Sequence, residues 1–114
     1  MNFLDILKYT GAVITIVVGL VALVRPESVT GFTGLQPDGS RGISEIRSVL
    51  GGLFIAIGLA PFILNDPTAF KMLGITYLGI GAVRTVSILI DGATQSSNLI
   101  SLAFEIVFGI ILVL

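Results

Sequence analysis

Four long apolar segments dominate this sequence, and each approaches the length of a membrane-crossing helix. An α-helix needs about 20 apolar residues to cross the hydrocarbon core of a bilayer, because it rises only about 1.5 Å per residue. Charged residues make up 11% of the chain and hydrophobic residues 54%, whereas soluble domains carry roughly 25% charged residues. The predicted spans cover about residues 3–24, 41–64, 67–90 and 98–114.

Helix-breaking and helix-capping residues separate these segments. Pro26 ends the first, since proline cannot continue a helix. Asp66 and Pro67 suit the cap and the first position of the third helix, and Gly92 is a C-terminal cap signal. Short turns on both sides of the third helix make its neighbours antiparallel to it. We therefore predict an all-α, polytopic membrane protein that forms one domain, residues 1–114, as an antiparallel four-helix transmembrane bundle.

The longest polar connection, residues 25–40, lies between the first and second spans. Glycines and a Gln-Pro-Asp-Gly turn interrupt any long helix there. Phe32 and Leu35 are apolar enough to rest against acyl chains. We expect this connection to lie on the membrane surface as a loop or a short helix.

Small residues recur every fourth position along the second span, and we define them as the small-residue ridge. In lipid, small residues let helix backbones approach closely, because no hydrophobic force drives helices together there. Glycine and alanine are also common in membrane helices in general, but four positions in register favour a packing role. The ridge consists of Ser48, Gly52, Ala56 and Ala60.

Two acids and two arginines fall at a similar predicted depth. Counting about 1.5 Å per residue places Arg47, Arg84 and Glu105 roughly 9–11 Å below one membrane boundary, with Glu45 slightly shallower. Intramembrane charges are costly unless another group neutralises them. Glu45 and Arg47 diverge by about 160° around their helix, so they pair poorly with each other. We therefore expect Arg47 to pair with Glu105, and Glu45 to pair with Arg84.

This charge layer has two interpretations. It is either a satisfied network that fixes the register of the helices, or a site that binds a polar ligand or relays protons. Its formal charges cancel, which favours the first interpretation. A proton pathway would more often leave an acid unmatched, and an anion site would more often show surplus arginine.

Other chemistry finds little support in the sequence. The chain contains no cysteine and no histidine, which removes thiol nucleophiles, haem ligation by histidine and typical zinc sites. The net charge of −1 gives no basic field for nucleic acid. No Gly-x-Gly-x-x-Gly follows a predicted strand. We therefore assign no catalytic residue, no metal site and no cofactor, and expect no nucleic-acid partner.

One stretch carries a resemblance to a known group. The residues Gly34-Leu35-x-Pro37, followed by Glu45-Ile46-Arg47-x-x-x-Gly51-Gly52, resemble a signature that opens the second helix in small bacterial four-helix membrane proteins catalogued as a domain of unknown function. The resemblance implies a four-helix membrane fold over nearly the whole chain, with a shared pattern of these charges, and it implies no activity. A remoter similarity to DoxX-type membrane proteins would suggest redox or quinone partners.

These observations predict a non-enzymatic, integral membrane protein of the bacterial inner membrane. The expected role is that of an accessory or structural subunit, which self-associates or packs into a larger membrane complex within the lipid bilayer. The alternative is a protein that binds or transports a small molecule, a lipid or quinone, or an ion through the Glu/Arg layer.

Overall fold

The structure, a computed structural model, describes all residues from Met1 to Leu114 and is all-α, as the sequence predicts. Each of its four long helices is sufficiently long and apolar to cross a membrane, by length and composition. They are α1 (Phe3–Val24), α2 (Gly39–Leu64), α3 (Pro67–Asp91) and α4 (Ser96–Val113).

The helix α2 is not uniform along its length. It is α-helical over Gly39–Glu45, widens to a π-helix over Ile46–Leu53, and returns to α-helix over Phe54–Leu64. In a π-helix the backbone hydrogen bonds join residues five apart. Such segments are rare in proteins, and those that occur often lie at functional sites. The π segment coincides with the Ile-Arg-x-x-x-Gly-Gly part of the stretch noted above.

Two compact units make up the chain. The first contains residues 1–11 and 66–114, and the second contains residues 12–65. The helix α1 thus contributes its first turns to the first unit and its remainder to the second.

In the second unit, glycines bring the backbones of α1 and α2 close together. A Cβ atom added at Gly19 would lie 2.9 Å from the carbonyl oxygen of Gly51, and one added at Gly58 would lie 3.0 Å from the carbonyl oxygen of Ala12. Neither position could carry a side chain without a shift of the backbone. A buried cluster of Ala22, Val29 and Ile46, against which the partly buried Leu50 packs, continues this contact towards the connection between the helices.

The small-residue ridge does not line this contact. Ser48, Gly52 and Ala56 are exposed, and the nearest atom to a Cβ at Gly52 would be the carbonyl oxygen of Arg47, 3.9 Å away. Within the second unit, the close approach uses Gly51 and Gly58 instead. That the ridge packs against another molecule stays a prediction.

The connection after α1 is partly helical. A 3-10 turn covers Pro26–Val29 and a short α-helical turn covers Thr30–Thr33, which Gly34 ends in the left-handed conformation at φ 75°. Phe32 and Leu35 expose 39% and 52% of their surface, so both side chains are available to acyl chains. The interfacial position of this connection stays a prediction.

The first unit contains the α3–α4 hairpin, and its close contacts also depend on glycine. A Cβ at Gly74 would lie 2.9 Å from the carbonyl oxygen of Gly109, and a Cβ at Gly109 would lie 3.3 Å from the backbone nitrogen of Leu78. The α1 turns of this unit add an edge-to-face contact between Tyr9 and Phe70, whose ring centroids are 5.1 Å apart.

Asp66 caps α3, and this cap gives a pH-dependent prediction. Its Oδ1 accepts a hydrogen bond of 2.8 Å from the backbone N–H of Thr68. This backbone bond, followed by the side-chain hydrogen bond of Thr68, lowers the pKa of Asp66 from its ordinary value of 3.8. Because the pKa is lower in the folded state, the stabilisation is present above the unfolded pKa and is lost as pH falls through the folded pKa. We expect Asp66→Ala to lower the thermal midpoint of the detergent-solubilised protein at pH 7.

The difference between wild type and Asp66→Ala should begin to shrink below about pH 4, where the carboxylate of the unfolded state becomes protonated, and should disappear as pH falls through the lower folded pKa. Asp38→Ala is the matched control, since Asp38 precedes α2 at the same cap position but makes no side-chain cap hydrogen bond. It should leave the midpoint unchanged. An equal loss in Asp66→Ala at pH 7 and pH 3 would show that the cap does not act through the carboxylate.

Candidate functional site

Arg84 on α3 and Glu105 on α4 form a bidentate ion pair within the first unit. The Nε of Arg84 donates to Oε1 of Glu105 and its Nη2 donates to Oε2, each at 2.7 Å. The side chain of Glu105 is 8% exposed and that of Arg84 is 30% exposed. Two parallel charge-assisted hydrogen bonds are the strongest geometry available to this pair of residue types.

Asn98 extends the ion pair to the turn between the two helices. Its Oδ1 accepts a 2.7 Å hydrogen bond from Nη1 of Arg84, and its Nδ2 donates a 2.8 Å bond to the carbonyl oxygen of Ala93. The amide thereby links the guanidinium to the backbone of the connection. We define Arg84, Glu105, Asn98 and the Ala93 carbonyl as the hairpin network.

Gly81 makes room for this network one turn before Arg84. A Cβ at Gly81 would lie 3.0 Å from Cδ1 of Ile106 and 3.5 Å from Cβ of Glu105. The glycine therefore allows α4 to approach α3 at the level of the carboxylate. Three aromatic rings of α3 and α4 are also in contact. Tyr77 packs edge-to-face on Phe104 and Phe104 stacks on Phe108, at centroid distances of 5.4 Å and 4.6 Å.

The structure corrects both expected ion pairs. Glu105 pairs with Arg84 rather than with Arg47, and both of its oxygens are engaged. Glu45 pairs with Arg41, one turn earlier on its own helix, in an exposed i,i+4 salt bridge rather than with Arg84. Helix rise predicts depth but not which side of a helix faces which neighbour, so residues at one depth could be paired in more than one way.

Arg47 is exposed, and no carboxylate of the second unit pairs with it. The structure thus brings together two of the four predicted charged residues, Arg84 and Glu105. Glu45 and Arg47 both lie at the exposed start of α2, where Glu45 has its own partner.

Two participants lie outside the four predicted charged residues. The sequence predicts that the second span begins at about Arg41, but α2 begins at Gly39, which gives Arg41 a helical position four residues before Glu45. The sequence also predicts that Asn98 shares a helix face with Glu105, since the two are seven residues apart, but it does not predict the hydrogen bond between Asn98 and Arg84.

The hairpin network leaves little capacity for acid–base chemistry. The charges of Arg84 and Glu105 cancel, and both carboxylate oxygens accept hydrogen bonds. No buried side-chain nitrogen or oxygen lacks a hydrogen-bond partner. No three metal-binding side chains of the His, Cys, Asp or Glu type lie together. What the geometry can do is hold two helices in one register.

The fold and this network define a small α-helical protein with four potential transmembrane helices and a neutral, buried ion pair. A family model described as a domain of unknown function, DUF4345, matches residues 3–114. The chain belongs to this family. No curated protein and no solved structure is a significant match.

Proposed function

We propose that this chain is an integral protein of the bacterial inner membrane, with a non-enzymatic role as an accessory or structural subunit. The observation that carries the proposal is the hairpin network, in which the most deeply buried charged residue, Glu105, is bound through both oxygens. A network closed in this way orients helices, since neither partner is left to bind a substrate or to move a proton.

The proposed subunit assembles with copies of itself or with a larger membrane complex through the small-residue ridge. Ser48, Gly52 and Ala56 are exposed on α2, while the glycines that bring α1 and α2 together lie on another face. Small side chains on an outward face permit a second helix to approach its backbone in lipid.

Gly52→Leu tests this assembly. The added side chain has space within the chain, because a Cβ at Gly52 meets no atom closer than 3.9 Å. We therefore expect an unchanged thermal midpoint for the isolated chain, together with a smaller particle in mild detergent. Size-exclusion chromatography with light scattering measures the particle, and chemical crosslinking in native membranes measures the same contact in the bilayer.

Gly79→Leu is the matched control, because Gly79 on α3 also has open space around a Cβ but does not belong to the ridge. It should leave the particle size unchanged. If Gly52→Leu leaves both particle size and crosslinking unaltered, the ridge faces lipid and the assembly proposal is wrong.

A second candidate function is the binding or transport of a small molecule, a lipid or quinone, or an ion. Arg47 favours it, because this arginine is exposed and has no carboxylate partner in its own unit. The similarity to DoxX-type membrane proteins would point to a quinone. Substitution at Arg47 that spares stability but abolishes a ligand-dependent signal would support this candidate over the first.

A further inference from the structure

The start of α2 carries an arginine, Arg47, that forms no ion pair within its unit. The acids of the second unit are Glu27, Asp38 and Glu45, and the only ion pair among them joins Glu45 to Arg41. Arg47 therefore presents its guanidinium to the surroundings of the chain. An exposed charge in this region calls for an external counter-charge, since unpaired charge is costly near hydrocarbon.

Two serines beside Arg47 also have unused hydroxyl groups. Ser44 and Ser48 are exposed, lie three residues before and one residue after Arg47, and make no hydrogen bond within the chain. Thr76 and Thr85 on α3, by comparison, donate to the backbone carbonyls of Met72 and Gly81. The start of α2 thus offers hydroxyl donors next to an unpaired guanidinium.

The length of α2 places these donors near the phosphates of a bilayer. The helix has 26 residues, or about 39 Å at 1.5 Å per residue, against a hydrocarbon core of ~30 Å. An upright helix of this length exceeds the hydrocarbon by about 9 Å, and the polar end from Gly39 to Glu45 is suited to the headgroup region. Arg47 is about 12 Å from Gly39, close to the boundary, and a long arginine side chain extends back towards the headgroups.

We infer that Arg47, with Ser44 and Ser48, binds the phosphate of an anionic phospholipid at the start of α2. A phosphate diester carries one negative charge, which neutralises the guanidinium, and its oxygens accept hydrogen bonds from arginine in a bidentate geometry. The hydroxyls of the two serines supply further donors. The π segment, which includes Arg47 and Ser48, is of the kind often found at functional sites.

This inference rests on the proposal that α2 crosses a bilayer, and it adds the class of lipid and the residues that hold it. The free anion and the lipid headgroup share the same phosphate chemistry. Only the lipid is held at the correct depth by its own acyl chains, and we therefore assign the site to the lipid.

The test measures lipid retention by the full chain, purified in a nonionic detergent with added phosphatidylglycerol or phosphatidylcholine. Native mass spectrometry gives the number of lipids retained and their affinity. We expect Arg47→Gln to bind phosphatidylglycerol about fivefold more weakly than wild type, the effect of one basic residue near anionic headgroups. Binding of phosphatidylcholine should be weaker than that of phosphatidylglycerol and should change little in the variant.

Arg41→Gln is the matched control, because it removes the same charge from the same helix end at a residue that already has a carboxylate partner. It should bind phosphatidylglycerol as wild type does. If both variants bind phosphatidylglycerol equally weakly, the affinity depends only on the net charge of the chain, and the inference of a site at Arg47 is wrong.

Two further measurements complete the test. Raising the salt concentration should weaken phosphatidylglycerol binding to wild type, since exposed charges are screened, and binding insensitive to salt would contradict the assignment. Inorganic phosphate should not displace the lipid at equal concentration, and displacement would assign the site to a free anion. A chain that does not partition into vesicles at all would overturn the proposed function, whereas a membrane-inserted chain without lipid preference overturns only this inference.

Discussion

Glu105→Gln is expected to lower the free energy of unfolding by about 3 kcal/mol, because it leaves Arg84 charged without its anion in a poorly solvated place. Breaking a buried ion pair costs roughly 3–5 kcal/mol. We take the lower end because Arg84 retains 30% of its side-chain exposure, so water or a headgroup can solvate part of the guanidinium. Reversible unfolding in mixed detergent micelles measures the change.

Substituting both Arg84 and Glu105 by glutamine tests whether the two residues stabilise the fold as a pair or independently. Arg84→Gln leaves the carboxylate of Glu105 without its cation, and it should also destabilise the fold. When both residues are glutamine, no charge is left without a partner, and part of the loss should be recovered. Additive losses would show that the two residues act independently, despite hydrogen bonds of 2.7 Å between them.

Arg41 and Glu45 provide the internal comparison for this cycle. They form the same chemical pair in an exposed i,i+4 position, where such pairs contribute about 0.3–0.5 kcal/mol. Substitution of either one should therefore change stability by well under 1 kcal/mol. A loss as large as that in Glu105→Gln would mean that burial does not distinguish the two pairs.

Gly74→Ala is expected to destabilise the α3–α4 hairpin by about 1–3 kcal/mol, the usual cost of adding a group to a well-packed contact. The new Cβ would lie 2.7 Å from Cγ1 of Val113 and 2.9 Å from the carbonyl oxygen of Gly109. A backbone oxygen cannot rotate away as a side chain can, so the helices must separate. The same unfolding measurement in detergent detects the change.

Gly79→Ala in the same helix should have the opposite sign. No atom lies within 4 Å of a Cβ at Gly79, and alanine is favoured over glycine in a helix by up to ~1 kcal/mol. Destabilisation by both substitutions would assign the effect to glycine flexibility in α3 and not to its contact with α4.

The class of protein could be predicted from the sequence because it depends on segment length and apolar content alone. The four helices in the structure, for example α3 at Pro67–Asp91, follow the segments bounded by proline, aspartate and glycine. The predicted depth of the charged residues was also informative about the site. It puts Arg84 and Glu105 in one layer, and the two form an ion pair in the structure.

The choice of partners could not be predicted, because helical periodicity gives angles within one helix and not between helices. The packing face of α2 illustrates a second reason. Ser48 and Gly52 lie in the π segment, where backbone bonds join residues five apart, so a spacing of four no longer places residues directly above one another. Gly51 makes the contact with α1 instead, and no feature of the sequence marks where a helix widens.

In the proposed membrane protein, the ion pair between α3 and α4 also bears on how these helices enter lipid during synthesis. Arg84 and Glu105 are 21 residues apart in the chain, so the acid emerges from the ribosome shortly after the arginine. Either helix alone would bring a net charge into the bilayer, at a cost of about 2.5–3.5 kcal/mol near its centre. The closed hairpin carries no net charge into the bilayer. Pairing of the two side chains therefore lowers the free energy of transferring both helices together from water to lipid.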